Sequence, residues 1–500
     1  YNFLDLKKKL EQSGYQFNSN SDTEVLLASY DFWGTECVKY FKGMFAFALY
    51  DGKKNIMFLA RDRAGEKPLF YTNFNNSLFF TSELKALLVN SNMPRKIDED
   101  ALDCYLSFGY VPGDMCILKG YNKLPAGNIA VYDISSNSLK ISKYWTLPDS
   151  KDKIDILNDD EYVDKLDYLL DDSIRMQMEA DVPVGVLLSG GVDSSLITAI
   201  ASRHATKVKT FTISFPGYDS YDESDHARLI AKSFKTEHIE LQAKDSSADF
   251  LHKLASQVDE PMADSSIIPT YIVSKLVREH CTVALGGDGG DELFAGYGHY
   301  PRILWLEKKL KFLPLALRKI IANSSSLALP IGFKGRNWLQ SLNIDLKKSI
   351  PLIGSFFDKR SRKILLSDKS YNQVAEDIFL SRVPYNKNIL ERATRMDFQN
   401  YLAEDILVKV DRASMINSLE MRAPFLDRDI INFAFSEVPQ RLKANSSDKK
   451  ILLKMLAARL LPDDFDFHRK QGFSIPLSEW LKDGPFRSLF NEVLLDDNCI

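Results

Sequence analysis

The chain of 500 residues has a net charge of −4, with 45% hydrophobic and 26% charged residues. This composition describes a soluble globular protein of two or more domains and excludes disordered and fibrous classes. The slightly acidic balance gives no reason to expect a nucleic-acid partner, and the apolar runs fall far below the roughly 20 residues of a membrane span. The five cysteines, Cys37, Cys104, Cys116, Cys281 and Cys499, are scattered outside metal-ligand spacing. That pattern argues against a zinc site and a disulfide framework, so a reducing cytoplasm is the expected location.

In chain order, residues 1–150 read as a first domain of α+β type, largely antiparallel. Strands are expected at 44–51, 55–62, 68–73, 77–82 and 128–133, separated by turns such as DGKKN and FNNS. Helices are expected at Asp22–Tyr30 and Glu83–Asn90, with Asp22 in position to cap the first of them. Near residues 146–160 the polar stretch LPDSKDKIDILNDD reads as a linker. From 155 to 500 a second domain follows, in which strands alternate with helices. The strands are 184–188, 208–215, 237–241 and 282–286; the helices are 195–204, 223–235 and 265–280. That alternation predicts an α/β, doubly wound parallel sheet, with ligands at the carboxyl ends of its strands. Beyond residue 300 the pattern is helical, without repeats.

The most informative stretch is VGVLLSGGVDSS, residues 184–195. A buried-strand pattern runs into Ser189, Gly190, Gly191, Asp193, Ser194 and Ser195, and a helical pattern follows at once. Glycines permit close backbone approach, serines supply donors, and a helix N-terminus attracts anions. Together they form a phosphate cradle. Asp193 would repel phosphate unless a cation lay between, and Mg²⁺ is the hard cation suited to both. The lysine of the commoner phosphate loop is absent. Instead, SGGVDSS resembles the pyrophosphate loop of enzymes that split ATP into AMP and pyrophosphate. A second loop, GGDGGDELFAGY at 286–297, brackets Asp288 and Asp291 with four glycines. Its residues suit backbone approach to a ligand, and Asp291 completes a metal pair with Asp193. A tight turn with solvated acids is the bland alternative.

With VDEPMADSSIIPTYIVSKL before that loop, and SLEMRAPFLD (418–427) and RKQGFSIP (469–476) after it, the chain resembles glutamine-dependent asparagine synthetases. SDTEVLLASY, GMFAFALYD, ARDRAGEKPLFY, TSELKALL and LPAG resemble the N-terminal-nucleophile glutaminase half of the same enzymes. Members of that family begin with a cysteine that attacks the glutamine amide, followed by a glutamine-binding NGEIYN motif. Tyr1-Asn2 matches the last two letters of that motif, so the sequence is expected to start beyond the nucleophile. On this reading the chain uses ammonia but not glutamine. Cys37, inside a helix-like run, is no substitute.

The resemblance implies roles for particular residues. Leu188 and Ile213 flank adenine. Ser189, Gly190, Gly191, Asp193, Ser194 and Ser195 form the ATP loop, and Gly287 contacts the nucleotide through its backbone. Asp193 and Asp291 ligate Mg²⁺, and Asp288 lies beside the activated substrate. Lys470 stabilises charge at the α-phosphorus. Tyr297 and Glu420 form a pair near the acyl-adenylate, although Glu420 has a structural alternative in Arg422. Asp22 holds the glutamine α-amino group. The implied reaction is amidation of a carboxylate, aspartate first, using ATP, Mg²⁺ and ammonia from glutamine; a homodimer is compatible with it. Rival readings are a uronic-acid amidotransferase of polysaccharide biosynthesis, a tRNA-modifying ATP pyrophosphatase and a non-catalytic relative. The charge balance and scattered cysteines speak against the tRNA enzyme.

Overall fold

The computed structural model describes residues 1–150, 157–214, 222–243, 249–310, 312–330, 333–351, 354–366, 374–385, 387–467, 477–482, 484 and 486–495. Seven strands precede residue 145: β1 (Ala46–Asp51), β2 (Ile56–Arg61), β3 (Phe70–Phe74), β4 (Ser77–Thr81), β5 (Asn122–Lys123), β6 (Asn128–Asp133) and β7 (Ser138–Lys143). They form two antiparallel sheets, ordered β1-β2-β6-β7 and β4-β3-β5. Leu59 and Ala130 of the first sheet, Tyr71 of the second, and Leu69 and Leu124 make one buried cluster, so the sheets share a core. The early helix extends over Asp22–Trp33, and the expected helix at Glu83–Asn90 shortens to Leu84–Leu87.

The later sheet contains β8 (Val184–Leu187), β9 (Lys209–Ser214), β10 (Glu237–Gln242), β11 (Val283–Leu285) and β12 (Glu420–Arg422). Its order is β10-β9-β8-β11-β12, and every neighbouring pair is parallel. The chain therefore winds outward from β8 in one direction, returns, and continues from β11 in the other. The boundary between β8 and β11 is a topological switch point, where loops leave in opposite directions and open a crevice. Helices Val192–His204, Ser224–Ser233 and Ile267–Arg278 cross between the strands as expected.

Several elements lie outside the sequence pattern, β7 and the helix Glu99–Phe108 among them, and two of them shape the second half. The stretch read as a linker leads at once into a 20-residue helix, Asp159–Met178. Asn158 accepts the Glu161 N–H while the Glu161 carboxylate accepts the Asn158 N–H, a capping box that the letters N-D-D-E do announce. Strand β12 is the other: three residues, EMR, reached only after a stretch from residue 299 whose described elements are helices. Among the described residues no helix is long and apolar enough to cross a membrane.

Candidate active site

A cavity of about 570 Å³ opens at the carboxyl ends of β8 and β11. After β8 the backbone turns through Leu188–Gly191 into the helix at Val192. The Ser194 hydroxyl ties this loop together: it accepts the Ser189 N–H at 3.3 Å, meets the Ser189 Oγ at 3.1 Å and donates to the Gly191 carbonyl at 3.2 Å. Gly190 has φ +74°, and a Cβ there would lie 2.5 Å from the Cβ of His226. Only glycine meets both demands. Leu188, Ser189, Gly190, Gly191, Asp193, Ser194 and Ile213 all line the cavity, as do Gly287, Asp288 and Asp291 from the second loop. Leu188 and Ile213 are buried, so each is core on one side and wall on the other.

Ser195 departs from expectation. It is 0% exposed, and its hydroxyl has no hydrogen-bond partner among the described residues. One helical step of 100° turns it from the cavity into the core.

The two acids proposed as a metal pair converge on one cation. Lys450 donates to Asp291 Oδ1 at 2.7 Å and also contacts Asp193 Oδ2. Burial opposes charge on this ammonium, but Asp193 and Asp291 together raise its pKa above the ordinary lysine value. A seat that holds an ammonium between two carboxylates from adjacent loops fits a hard divalent cation. No group of three or more potential metal-ligating side chains occurs among the described residues. Two protein oxygens are the donor number expected for Mg²⁺ that shares its sphere with substrate phosphates. Beside them, burial raises the pKa of Asp288, with Lys409 opposing the shift and Asp193 and Asp291 adding to it.

Tyr297 and Glu420 do not pair. The Tyr297 hydroxyl donates to Glu292, while Glu420 accepts from Arg422 Nε at 2.7 Å. Neither lines the cavity. Asp22 is exposed at the first position of its helix, and the cap is Ser21, whose Oγ accepts the Thr23 N–H at 3.2 Å. Cys37 is fully buried in the 3₁₀ turn Gly34–Lys39, and burial pushes its thiol up to about 12. Lys470 lies outside the described residues.

The structure adds Lys409 to the cavity wall, bonded to Asp264 at 2.8 Å and Ser266 at 2.7 Å. One turn earlier, burial and then Asp264 push the Asp405 carboxyl up to about 7 against the pull of Lys409. Between its usual 3.8 and about 7, the native state keeps a proton that the unfolded chain releases. Stability therefore falls as pH rises through that window, by at most about 1.4 kcal/mol per pH unit. Asp405→Asn is expected to flatten this slope in urea melts between pH 4.5 and 7; parallel slopes for variant and wild type would refute the assignment.

Residues 165–499 match the family model described as asparagine synthase, and residues 1–145 match a glutamine amidotransferase domain. The chain is 33% identical to asparagine synthetase (glutamine-hydrolysing) 1 of Bacillus subtilis over 491 residues, covering 96% of this chain and 75% of that protein. It is also 33% identical to a putative glutamine-hydrolysing asparagine synthetase of Mycobacterium bovis, covering 97% and 75% of the two chains. A second Bacillus subtilis relative, asparagine synthetase (glutamine-hydrolysing) 3, is 29% identical and covers 96% and 76%. Agreement of this extent, over both halves of the sequence, places the chain in the glutamine-hydrolysing asparagine synthetase family of ligases.

Proposed function

We propose that residues 155–500 form a synthetase domain that amidates the β-carboxylate of aspartate with ATP, and that residues 1–150 form the glutaminase-type domain that serves it. The observation that carries this reading is the convergence of two acid-bearing glycine loops on one cavity at the switch between β8 and β11. The backbone N–H groups opening the helix at Val192, with Ser189 and Ser194, hold the triphosphate. Asp193 and Asp291 would hold Mg²⁺, which neutralises phosphate charge when bound. A carboxylate oxygen of the acceptor attacks the α-phosphorus, the α–β bond breaks, and pyrophosphate leaves. Lys470 meets the negative charge that builds in that step. Ammonia then attacks the acyl carbon and AMP leaves, giving the amide. Asp288, its pKa raised, is suited to take the proton that the attacking nitrogen sheds.

A route for ammonia is supported by a small cavity of about 20 Å³ beside Asp288, lined by Met44, Glu66 and Lys67 from the first half and by Val410, Asp411 and Met421 from the second. Asp22 is assigned to the glutamine α-amino group.

The test supplies ATP, Mg²⁺ and ammonium chloride with aspartate or with a uronic acid and measures pyrophosphate. Release with aspartate supports the reading. Release with the uronic acid alone replaces the acceptor, and no release with any carboxylate overturns the reading. Lys470→Ala is expected to bind ATP nearly normally but to lose about 100-fold or more in turnover, the scale of one lost transition-state stabiliser. Unchanged turnover would return Lys470 to the surface.

A further inference from the structure

Lys450 reaches the site from a third part of the chain, immediately before helix Ile451–Leu460. Its side chain is held in a way that a surface ion pair is not. The residue is only 7% exposed and lines the cavity together with both of its carboxylate partners. Its backbone is left-handed, with φ 54° and ψ 36°, a conformation that costs a non-glycine residue of order 1 kcal/mol and persists where the surroundings enforce it. Its aliphatic stem fills the space over Gly296, where an added Cβ would sit 2.0 Å from Lys450 Cε and 1.8 Å from Asp291 Oδ1. The stem, the acids and the missing side chain at 296 form one fitted unit.

We infer that Lys450 fills the metal seat of the nucleotide-free protein, so that free divalent cation is excluded and the metal enters only together with the triphosphate. This rests on the proposed assignment of Asp193 and Asp291 as metal ligands. To bind alone, a divalent ion would have to displace a buried ammonium from both of its bonds and set a second positive charge beside it, which is costly in a low-dielectric site. A metal–triphosphate complex brings its own oxygens. The displaced ammonium then finds anionic partners in the same cavity, and the exchange is compensated. Lys450 thus acts as a positioning residue that couples metal entry to nucleotide entry and reclaims the seat when pyrophosphate leaves.

The test uses Mn²⁺ as the probe, with no nucleotide present, and reads free Mn²⁺ by electron paramagnetic resonance. Wild type is expected to show no specific site. Lys450→Gln should gain one site, about tenfold or more tighter than any Mn²⁺ binding by wild type. Adding Asp291→Asn to that variant should abolish the gain, and Lys450→Arg should behave as wild type. Equal Mn²⁺ binding by wild type and Lys450→Gln overturns the inference, as does a folded Lys450→Gln protein that gains no site. A measurement on wild type alone guards against a variant that fails to fold. Mg²⁺ by itself should leave the melting temperature unchanged, whereas Mg²⁺ with a non-hydrolysable ATP analogue should raise it; a rise with Mg²⁺ alone also overturns the inference. Pyrophosphate release by wild type tests the amidation reading separately and does not enter these comparisons.

Discussion

Asp193→Asn or Asp291→Asn is expected to cut ATP-dependent pyrophosphate release by about 1,000-fold or more, with little change in thermal stability. Asparagine has nearly the shape of aspartate, so no core space opens. What changes is charge. Both carboxylates sit at helix starts on neighbouring loops and face the same cation seat. With one of them neutral, the seat keeps a single negative ligand and the triphosphate loses much of its shielding. Lys450 still has the remaining acid as a partner, which is why the fold should survive. The check is pyrophosphate release at saturating ATP beside a melting curve. Near-normal release from either folded variant would remove the metal assignment.

Arg362→Leu should destabilise the protein by about 3–5 kcal/mol, the usual cost of stripping one partner from a buried ion pair. Arg362 and Asp103 are each 0% exposed and bond at 2.5 Å. The guanidinium also reaches Glu376 at 2.7 Å and the Phe357 carbonyl at 2.8 Å, while the second oxygen of Asp103 accepts the Ala375 N–H at 2.9 Å. Helix Glu99–Phe108 of the first half is thereby locked to two helices that follow residue 358. Leucine fills the volume but leaves the Asp103 carboxylate buried against a single N–H. The urea transition should move to lower denaturant, and Asp103→Asn in the same background should recover part of the loss. A variant that melts like wild type would show that the pair contributes no net stability.

The parts of this protein that were legible in its sequence are those whose signals are local. Residues 128–133 read as a strand and form β6 without adjustment. SGGVDSS was readable because a strand, a turn and a helix start fit within a dozen residues, and their chemistry follows from that geometry. Lys450 was not readable. In SSDKK it looks like part of a solvated charge run, and its burial between Asp193 and Asp291 arises only when elements some 257 residues apart meet. Tyr297 is a different case, because its contact is local. Its neighbour Glu292 lies five residues back, across a short helical turn, and family likeness pointed past it to Glu420. Strand β12 has no periodicity of its own; it is a strand because β11 offers it an edge.

That edge has a consequence for biosynthesis. On a ribosome adding about 5–20 residues per second, roughly 7 to 27 seconds separate the synthesis of Leu285 from that of Glu420. Through that interval the nascent sheet has β8 on one side of β11 and no β12 on the other, and from residue 297 onward both glycine loops already exist. An open edge of this kind is a template for pairing with another chain. Translation pauses within the helical stretch from 299 to 415 should therefore be the point of greatest aggregation risk, and the stage at which a holding chaperone matters most. Silent codon changes confined to that stretch should alter soluble yield more than equal numbers placed after residue 425.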